Sequence, residues 1–382
     1  MRNKFLPYGR QSIEDDDISE VDKVLRSDWL TTGPKVSEFE EKFCEYIGCK
    51  YAVAVNSGTS ALDIAVASLG IEKGSEIITT PFTFAATANC ILYNNLKPVF
   101  ADIKKDTYNI NPDEIKKKIT SKTKAIIYVD YAGQPCDISG IRKIADDNNL
   151  YLIEDAAHAC GAEYKDKKVG NFADLTEFSF HPVKHITTGE GGMVTTDNEE
   201  LYEKLKLLRN HGIDRDAATR FGKDASYAYD MKSLGRNYRI TDFQCALGIS
   251  QLKKLDEFIK RRENIVKIYN EAFKDIDRVT IPYVKTNIKH AWHIYTILLD
   301  EKINRDKFFN SMKAKNIGVN VHYIPIYKFT YYIEKFNFNH IDFPVTENVF
   351  SRVITLPLFQ GMKDEDAYDV ISAVKNTINE FS

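Results

Sequence analysis

One lysine of the sequence stands where it could act as a nucleophile rather than as a surface charge. Lys184 ends the stretch Phe178-Ser-Phe-His-Pro-Val-Lys184 and precedes a glycine-rich bend that closes at Gly192. A lysine amine attacks a carbonyl group only when removal from water or a neighbouring positive charge lowers its pKa. The apolar flanks favour the first cause, and His181 and His185 could supply the second. Taken alone, Lys184 would ordinarily be interpreted as a solvated surface charge.

A second candidate site is the stretch Asn56-Ser57-Gly58-Thr59-Ser60, which lies between a predicted strand and a predicted helix. Its backbone N–H groups and hydroxyls would stand at the helix N-terminus, where partial positive charge favours an anion. The Walker lysine loop and the G-x-G-x-x-G pattern are both absent, so a nucleoside triphosphate or a dinucleotide is not favoured. A plain helix cap with a tight turn explains the stretch equally well.

A carboxylate follows the apolar run Tyr151-Leu-Ile-Glu-Asp155. The C-terminal edge of a parallel sheet is where α/β proteins bind ligands, so Asp155 could hold a protonated ring nitrogen there. His158, three residues later, could donate a hydrogen bond to a ring substituent. The alternative is a turn-capping aspartate and a surface histidine. Together, the three sites predict a pyridoxal phosphate (PLP) pocket with a phosphate cradle, a pyridine partner and a Schiff-base lysine.

The composition and net charge of the chain argue against several classes of protein. The chain has 382 residues, 43% hydrophobic content and a formal net charge of −3, so a general nucleic-acid binder with a strong basic excess is not expected. The start of the chain lacks the apolar core of a signal peptide, and no apolar run approaches membrane-spanning length. Six scattered cysteines show no zinc-ligand spacing. These features predict a cytoplasmic protein without a metal site, a nucleic-acid partner or a membrane partner.

Strand-like and helix-like runs alternate from Tyr51 to Glu154, which predicts a parallel sheet with helices on both faces. The last third contains helix-like runs and a strand-like run from Gly318 to Tyr323, which indicates an α+β unit. We therefore predict a large α/β domain at residues 1–250 and a smaller C-terminal α+β domain at residues 251–382. A polar stretch from Asp214 to Lys232 predicts an exposed loop.

Five stretches resemble the DegT-type sugar aminotransferases, in the order and spacing of that family. They are Asn56-Ser-Gly-Thr-Ser-Ala-Leu62, Pro81-Phe-Thr-Phe-Ala-Ala-Thr-Ala-Asn89, Glu154-Asp-Ala-Ala-His158, Phe178 through Gly192, and Gly235-Arg-Asn-Tyr-Arg239. The resemblance runs along most of the chain. It implies a fold-type I PLP-dependent transferase with a large, mixed but mostly parallel seven-stranded sheet.

The resemblance also implies roles for individual residues. Lys184 would bind the cofactor as a Schiff base and move the proton, and Asp155 would face the pyridine nitrogen. Phe84 would stack on the ring and His158 would lie beside the ring oxygen. The phosphate would be held by Ser57, Gly58, Thr59 and Ser179, together with Asn237 from the second subunit of a homodimer with composite active sites. A histidine replaces the lysine in the sugar 3-dehydratase branch of the family, so Lys184 indicates a transaminase.

Three stretches are most similar to the transaminases of pseudaminic acid synthesis, namely Phe180 to Thr188, Val129-Asp-Tyr-Ala-Gly133 and Val321-His-Tyr-Ile-Pro-Ile326. That likeness implies transfer of an amino group from L-glutamate to C4 of a UDP-linked 4-keto-6-deoxy-N-acetylhexosamine. Ala291-Trp-His293 and Leu356-Pro-Leu-Phe359 resemble instead the 4-amino-arabinose transaminases. Amination at C4 is common to both interpretations.

Several alternatives stay open at this stage. A sister transaminase could act on a dTDP- or GDP-linked keto sugar, or at C3. A regulatory or scaffolding protein could keep the fold without turnover, although the complete lysine, aspartate and phosphate-binding set argues against that. Candidate contacts to a nucleotide sugar are Thr31, Thr32, His322 and Tyr323.

Overall fold

A seven-stranded sheet forms the centre of the protein in a computed structural model that describes residues 2–214, 228–336 and 338–381. The strands are β1 (Tyr51–Val55), β2 (Glu76–Thr79), β3 (Lys97–Phe100), β4 (Thr123–Val129), β5 (Tyr151–Asp155), β6 (Glu163–Tyr164), β7 (Lys167–Lys168), β8 (Leu175–Ser179), β9 (Gly192–Thr196), β10 (Val279–Thr280), β11 (Ile288–Lys289), β12 (Tyr295–Leu299) and β13 (Val353–Leu356). In the large sheet the order is β1-β9-β8-β5-β4-β2-β3. Strand β9 is antiparallel to both neighbours and the other pairs are parallel, so the predicted mixed, mostly parallel sheet is confirmed.

Helices connect these strands and cover the sheet. They are α1 (Asp15–Leu25), α2 (Pro34–Ile47), α3 (Gly58–Ser68), α4 (Ala85–Tyr93), α5 (Pro112–Lys118), α6 (Ile138–Asp147), α7 (Glu199–Arg209), α8 (Asp242–Leu252), α9 (Leu255–Phe273), α10 (Arg305–Ala314), α11 (Thr330–Phe336), α12 (Pro344–Arg352) and α13 (Asp364–Asn379). Among the described residues, no helix has the length and apolar character needed to cross a bilayer. Most of the exposed loop predicted from Asp214 to Lys232 lies outside the described residues.

The central strands are apolar on both faces because helices cover both sides of the sheet. Ile153 of β5 packs in the core beneath α3 and α4, whereas its neighbour Leu152 packs on the opposite face with Ile141 of α6. Alternate residues of a strand point to opposite faces. Asp155 therefore lies on the same face as Ile153, toward α3.

The predicted strand from Gly318 to Tyr323 is wrong. Within the described chain, the segment forms isolated bridges instead: Asn320 pairs with Thr355 of β13, and the neighbouring Ile317 pairs with Leu6. The Gly318 N–H donates to the Leu6 carbonyl oxygen at 2.7 Å. An apolar, alternating sequence matched a strand, but its hydrogen-bonding groups are divided between two partners, so no continuous ladder forms.

A second core surrounds the small sheet of β10, β12 and β13. Helix α9 links the two cores, since Ile259 packs into the core of the large sheet and Ile265 into the second core. The division into domains at residues 1–250 and 251–382 stays a prediction.

Candidate active site

The predicted phosphate cradle lies at the N-terminus of α3. Ser57 caps this helix, because its Oγ accepts a hydrogen bond from the Ser60 N–H at 3.1 Å. The N–H groups of Gly58 and Thr59 in the first turn have no hydrogen-bond partner among the described residues. Ser179, at the end of β8, stands opposite, and a Cβ added to Gly58 would lie 3.0 Å from the Ser179 Cβ. Two N–H donors and the Ser179 hydroxyl thus face one position suited to an anion, while the Ser57 hydroxyl donates to the Ser60 Oγ at 2.9 Å.

Asp155 lies at the carboxyl end of β5, at the edge of the sheet where the cradle also lies. It is 4% exposed, and its Oδ2 accepts a hydrogen bond from the Thr87 Oγ1 at 2.7 Å. The Thr87 hydroxyl is in turn 2.9 Å from that of Thr83, so Thr83 donates to Thr87 and Thr87 donates to Asp155. The Asp155 Oδ1 accepts the Ala157 N–H at 3.2 Å, as expected for a turn-capping aspartate. These donors orient a carboxylate at a ligand-facing edge.

Lys184 lies in the turn that follows β8 and is half-buried. Burial lowers the pKa of its amine to about 8, although the nearby Glu177 and Asp155 act to raise it. Its ammonium has neither a hydrogen bond nor an ion pair within the described parts of the chain. The prediction that His181 and His185 could supply positive charge is wrong, because burial lowers the pKa of both imidazoles. Removal from water is therefore what lowers the pKa of this lysine.

His158 is 3% exposed, so the interpretation as a surface histidine is excluded. Its Nδ1 accepts the Ala132 N–H at 3.3 Å, and burial holds the pKa of the ring well below its usual value. The ring is thus neutral, with its proton on Nε2, which lies 2.8 Å from the Tyr323 hydroxyl oxygen. The Tyr323 hydroxyl oxygen accepts a hydrogen bond from this N–H, so its own O–H can donate to another group.

Phe84 is 61% exposed and stands at the N-terminus of α4. Its ring centroid is 6.2 Å from that of Tyr323, so the two rings flank the same opening. An exposed aromatic face is suited to stacking against a flat ring.

The remaining candidates fall into two groups. His322 is buried near the site, with Nδ1 at 2.8 Å from the Thr355 hydroxyl, and burial lowers its pKa to about 3. Thr31 is exposed and forms a bridge with Thr241, and Thr32 is half-buried beside it. Among the described residues, no contact joins either threonine to Lys184. The exposed Asn237 bridges to Asn210 and likewise has no described contact with the other site residues of its own chain.

Two residues that the sequence interpretation missed belong to this site. Thr87 orients Asp155, as described above. Glu177 lies beside Asp155 in the aligned register of β5 and β8, and it is 1% exposed. A signal for Glu177 was present, because it is an acid within an apolar strand, two residues before Ser179, and alternate residues share a face.

The residues present fit PLP on observations of this structure. A helix N-terminus suited to an anion, an oriented carboxylate, an exposed aromatic face and a lysine of lowered pKa, which has no ion pair to any residue the structure describes, lie at one sheet edge. These are the groups needed for a phosphate, a pyridine nitrogen, a flat ring and an aldehyde, respectively.

Comparison with known proteins agrees with the geometry. A model of the DegT/DnrJ/EryC1/StrS aminotransferase family matches residues 11–375. The chain is 42% identical over 368 residues to UDP-4-amino-4,6-dideoxy-N-acetyl-beta-L-altrosamine transaminase of Campylobacter jejuni, covering 95% of each chain.

Solved structures are also similar. The aminotransferase PseC of Helicobacter pylori, involved in the biosynthesis of pseudaminic acid, superposes with a TM-score of 0.93 at 36% identity, covering 99% of this chain and 100% of its own. A protein from Streptococcus pneumoniae assigned as a sugar aminotransferase, in its PLP form, superposes with a TM-score of 0.93 at 29% identity, covering 99% of this chain and 100% of its own.

Proposed function

The chain belongs to the DegT/DnrJ/EryC1/StrS aminotransferase family, and we propose that it moves an amino group from L-glutamate to C4 of a UDP-linked 4-keto-6-deoxy-N-acetylhexosamine. As a member of that family it is a PLP-dependent sugar aminotransferase. The observation that carries the proposed chemistry is the position of Lys184, a lysine of lowered pKa beside an oriented aspartate. The proposed sugar is the one suggested by the likeness of Val321-His-Tyr-Ile-Pro-Ile326 and neighbouring stretches to pseudaminic acid transaminases.

PLP, when bound, supplies an aldehyde that takes up the amino group and a protonated ring that accepts electron density. In our proposal, Asp155 keeps the proton on the ring nitrogen, and Phe84 stacks on the ring. The Ser57 and Ser179 hydroxyls, with the first N–H groups of α3, hold the phosphate. Lys184 carries the proton on its Nζ between the amino-acid donor and the cofactor, because burial makes its neutral amine accessible.

His322 and Tyr323 are the proposed contacts to the sugar. Tyr323 accepts a hydrogen bond from His158, so its own O–H is left to donate to another acceptor, and its ring lies 6.2 Å from that of Phe84. A hydroxyl or carbonyl oxygen of the sugar could accept it. Thr31 and Thr32 are likewise proposed contacts to the nucleotide sugar, and Thr31 forms a bridge with Thr241, just before α8.

We also propose a homodimer with composite active sites, in which Asn237 reaches the cofactor phosphate of the other subunit. The exposure of Asn237 supports this, as does that of Leu234, which is 77% exposed in the same segment. Met231 and Tyr229 of the same segment are each 60% exposed as well, and a group of exposed apolar side chains, unlike a single one, favours an interaction surface.

Mass spectrometry tests the substrate. Purified protein loaded with PLP is incubated with L-glutamate and, separately, with UDP-, dTDP- and GDP-linked 4-keto-6-deoxy sugars and a 3-keto sugar. We expect an amino sugar only from the UDP-linked 4-keto-6-deoxy-N-acetylhexosamine. If only a different keto sugar gives a product, that sugar replaces the proposed substrate. If L-glutamate gives no product but L-glutamine or L-alanine does in parallel incubations, glutamate is not the donor.

A further inference from the structure

Glu177 is a buried acid to which the proposed mechanism assigns no role. Neither of its carboxyl oxygens has a hydrogen-bond partner among the described residues, and the side chain is 1% exposed. An ionised carboxylate without donors is strongly disfavoured away from water. Glu177 must therefore be neutral or have a partner that neutralises it.

The neighbour of Glu177 is Asp155. The two residues are aligned on the adjacent parallel strands β8 and β5, and Ile153 and Leu175, two residues earlier in each strand, lie in one core. Both carboxyl groups thus point to the same face, toward α3, and lie side by side at the ends of adjacent strands. Gly58 closes the other side, since a Cβ added there would lie 2.5 Å from the Glu177 Oε1.

Asp155 has acceptor capacity left for such a neighbour. Its Oδ2 accepts from Thr87 and its Oδ1 accepts from the Ala157 N–H, which leaves further lone pairs on both oxygens. A protonated carboxyl group has one O–H to donate, and a hydrogen bond to an ionised acceptor is among the stronger ones.

We propose that Glu177 is a positioning residue: as a neutral acid it donates its O–H to the Asp155 carboxylate and keeps that carboxylate aimed at the PLP ring nitrogen. This inference rests on the proposed role of Asp155. One proton is shared by two acids, so the pair presents a single negative charge to the ring.

The surroundings of Glu177 agree with a neutral acid. Burial and the charge of Asp155 raise the pKa of Glu177 well above its usual value, and only Lys184, after β8, opposes them. Helix α4 contributes Cys90, whose pKa is also raised by burial, and β9 contributes the apolar Val194. Asp63 of α3 is paired with Arg236, so it supplies no free charge to the site.

The test compares PLP binding by the wild type with that of Glu177→Gln and Glu177→Leu. Glutamine keeps the shape and a donor, whereas leucine removes the donor. Glu154→Gln is the matched control, because Glu154 is a buried acid on the other face of β5, held by Tyr128 and Thr176. Each apo-protein is titrated with PLP at several pH values and followed by the visible absorbance of the lysine-bound cofactor.

We expect Glu177→Gln and Glu154→Gln to bind PLP within about twofold of the wild type, and Glu177→Leu to bind about tenfold or more weakly. The pH midpoint of the absorbance band should move by less than about 0.3 units in Glu177→Gln, because a neutral side chain replaces a neutral acid. A clear shift in that variant would mean that Glu177 is ionised and would overturn the proposal. Wild-type affinity in a folded Glu177→Leu would overturn it as well.

Infrared spectra of the apo-proteins separate this inference from the proposed function. The wild type at neutral pH should show the carbonyl stretch of a protonated carboxylic acid that disappears in Glu177→Gln. If that band is absent, Glu177 is not a neutral acid, whatever the protein binds. If the band is present but the wild type takes up no PLP, the proposed cofactor role of Asp155 fails while the neutral state of Glu177 stands.

Discussion

The lowered pKa of Lys184 is caused by removal from water and not by neighbouring positive charge. Burial lowers its pKa to about 8, and the carboxyl groups of Asp155 and Glu177 pull in the opposite direction. If both acids were ionised, the amine would be held as an ammonium more strongly. A single shared proton on the two acids therefore helps to keep the neutral amine accessible near neutral pH.

Replacing Lys184 tests its role directly. We expect Lys184→Ala to keep the fold and to bind PLP without a covalent bond, because the phosphate cradle and Asp155 are untouched. The rate of amino transfer should fall by more than about 10³-fold, since both the nucleophile and the proton carrier are lost. Lys302→Ala, at an exposed position, is the control. Substantial turnover by Lys184→Ala, measured as 2-oxoglutarate release, would remove Lys184 from this role.

The lowered pKa of Lys184 predicts how cofactor loading depends on pH. Only the neutral amine attacks the aldehyde, and the neutral fraction rises as the pH approaches and passes about 8. The rate at which apo-protein acquires the visible band should therefore increase with pH and level off above that value. Stopped-flow absorbance measures it. A rate that keeps rising toward the ordinary lysine pKa would show that burial does not lower the pKa of Lys184.

At the scale of elements, the N-terminus of α3 packs closely against β8 and β9, which are neighbours in the large sheet. A Cβ on Gly192 of β9 would lie 2.5 Å from the Ser57 carbonyl oxygen, and a Cβ on Gly58 would reach the carboxyl group of Glu177. The turn between β1 and α3 thus depends on two glycines for close approach rather than for unusual backbone angles. This contact brings the anion cradle beside Asp155 and Glu177.

Gly58→Ala tests the close approach. Alanine favours a helix over glycine by up to about 1 kcal/mol, but the added methyl group must displace the Glu177 carboxyl group or Ser179, at a cost of about 1–3 kcal/mol. We expect a net loss of stability in thermal unfolding and weaker PLP binding. Gly361→Ala, where the nearest atom would be 3.8 Å from the new Cβ, should change little. Equal behaviour of the two variants would contradict the contact.

At the scale of the molecule, the site joins segments that are far apart in the chain. Tyr323 and His322 come from the part of the chain that also builds the second core, and they meet His158 and Phe84 at the edge of the large sheet. Arg262 of α9 is fully buried and donates to the carbonyl oxygen of His293 at 3.0 Å, so α9 ties the second core to the same region. A movement of one core relative to the other would therefore change the opening around Phe84.

Mixing two inactive variants tests the composite site. In a mixed dimer of Lys184→Ala and Asn237→Ala, one of the two sites combines an intact lysine with an intact asparagine from the other chain. After unfolding and refolding together, the mixture should regain about a quarter of the wild-type activity, since half of the dimers are mixed and each holds one intact site. Each variant refolded alone is the control. Absence of recovery, with dimers shown by sedimentation, would place Asn237 outside the partner's site.

The sequence allowed the large sheet to be identified and most of the candidate site residues to be predicted at one sheet edge, because both depend on local signals. Apolar runs alternating with helical patterns indicated parallel strands, and the positions of Ser57, Asp155 and Lys184 at strand ends indicated one common edge. The strand predicted from Gly318 to Tyr323 failed, since pairing depends on which distant segment supplies the partner.

By itself the sequence determined the family, the cofactor and the order of the residues around it, because those follow from residue type and spacing. Only the tertiary structure decided the electrostatics of the site. It buried His185 and partly shielded the exposed His181 from water, which lowers the pKa of both, and it aligned Glu177 with Asp155. Desolvation and the distance between charges depend on the packing of many distant residues, and a linear pattern of letters contains neither quantity.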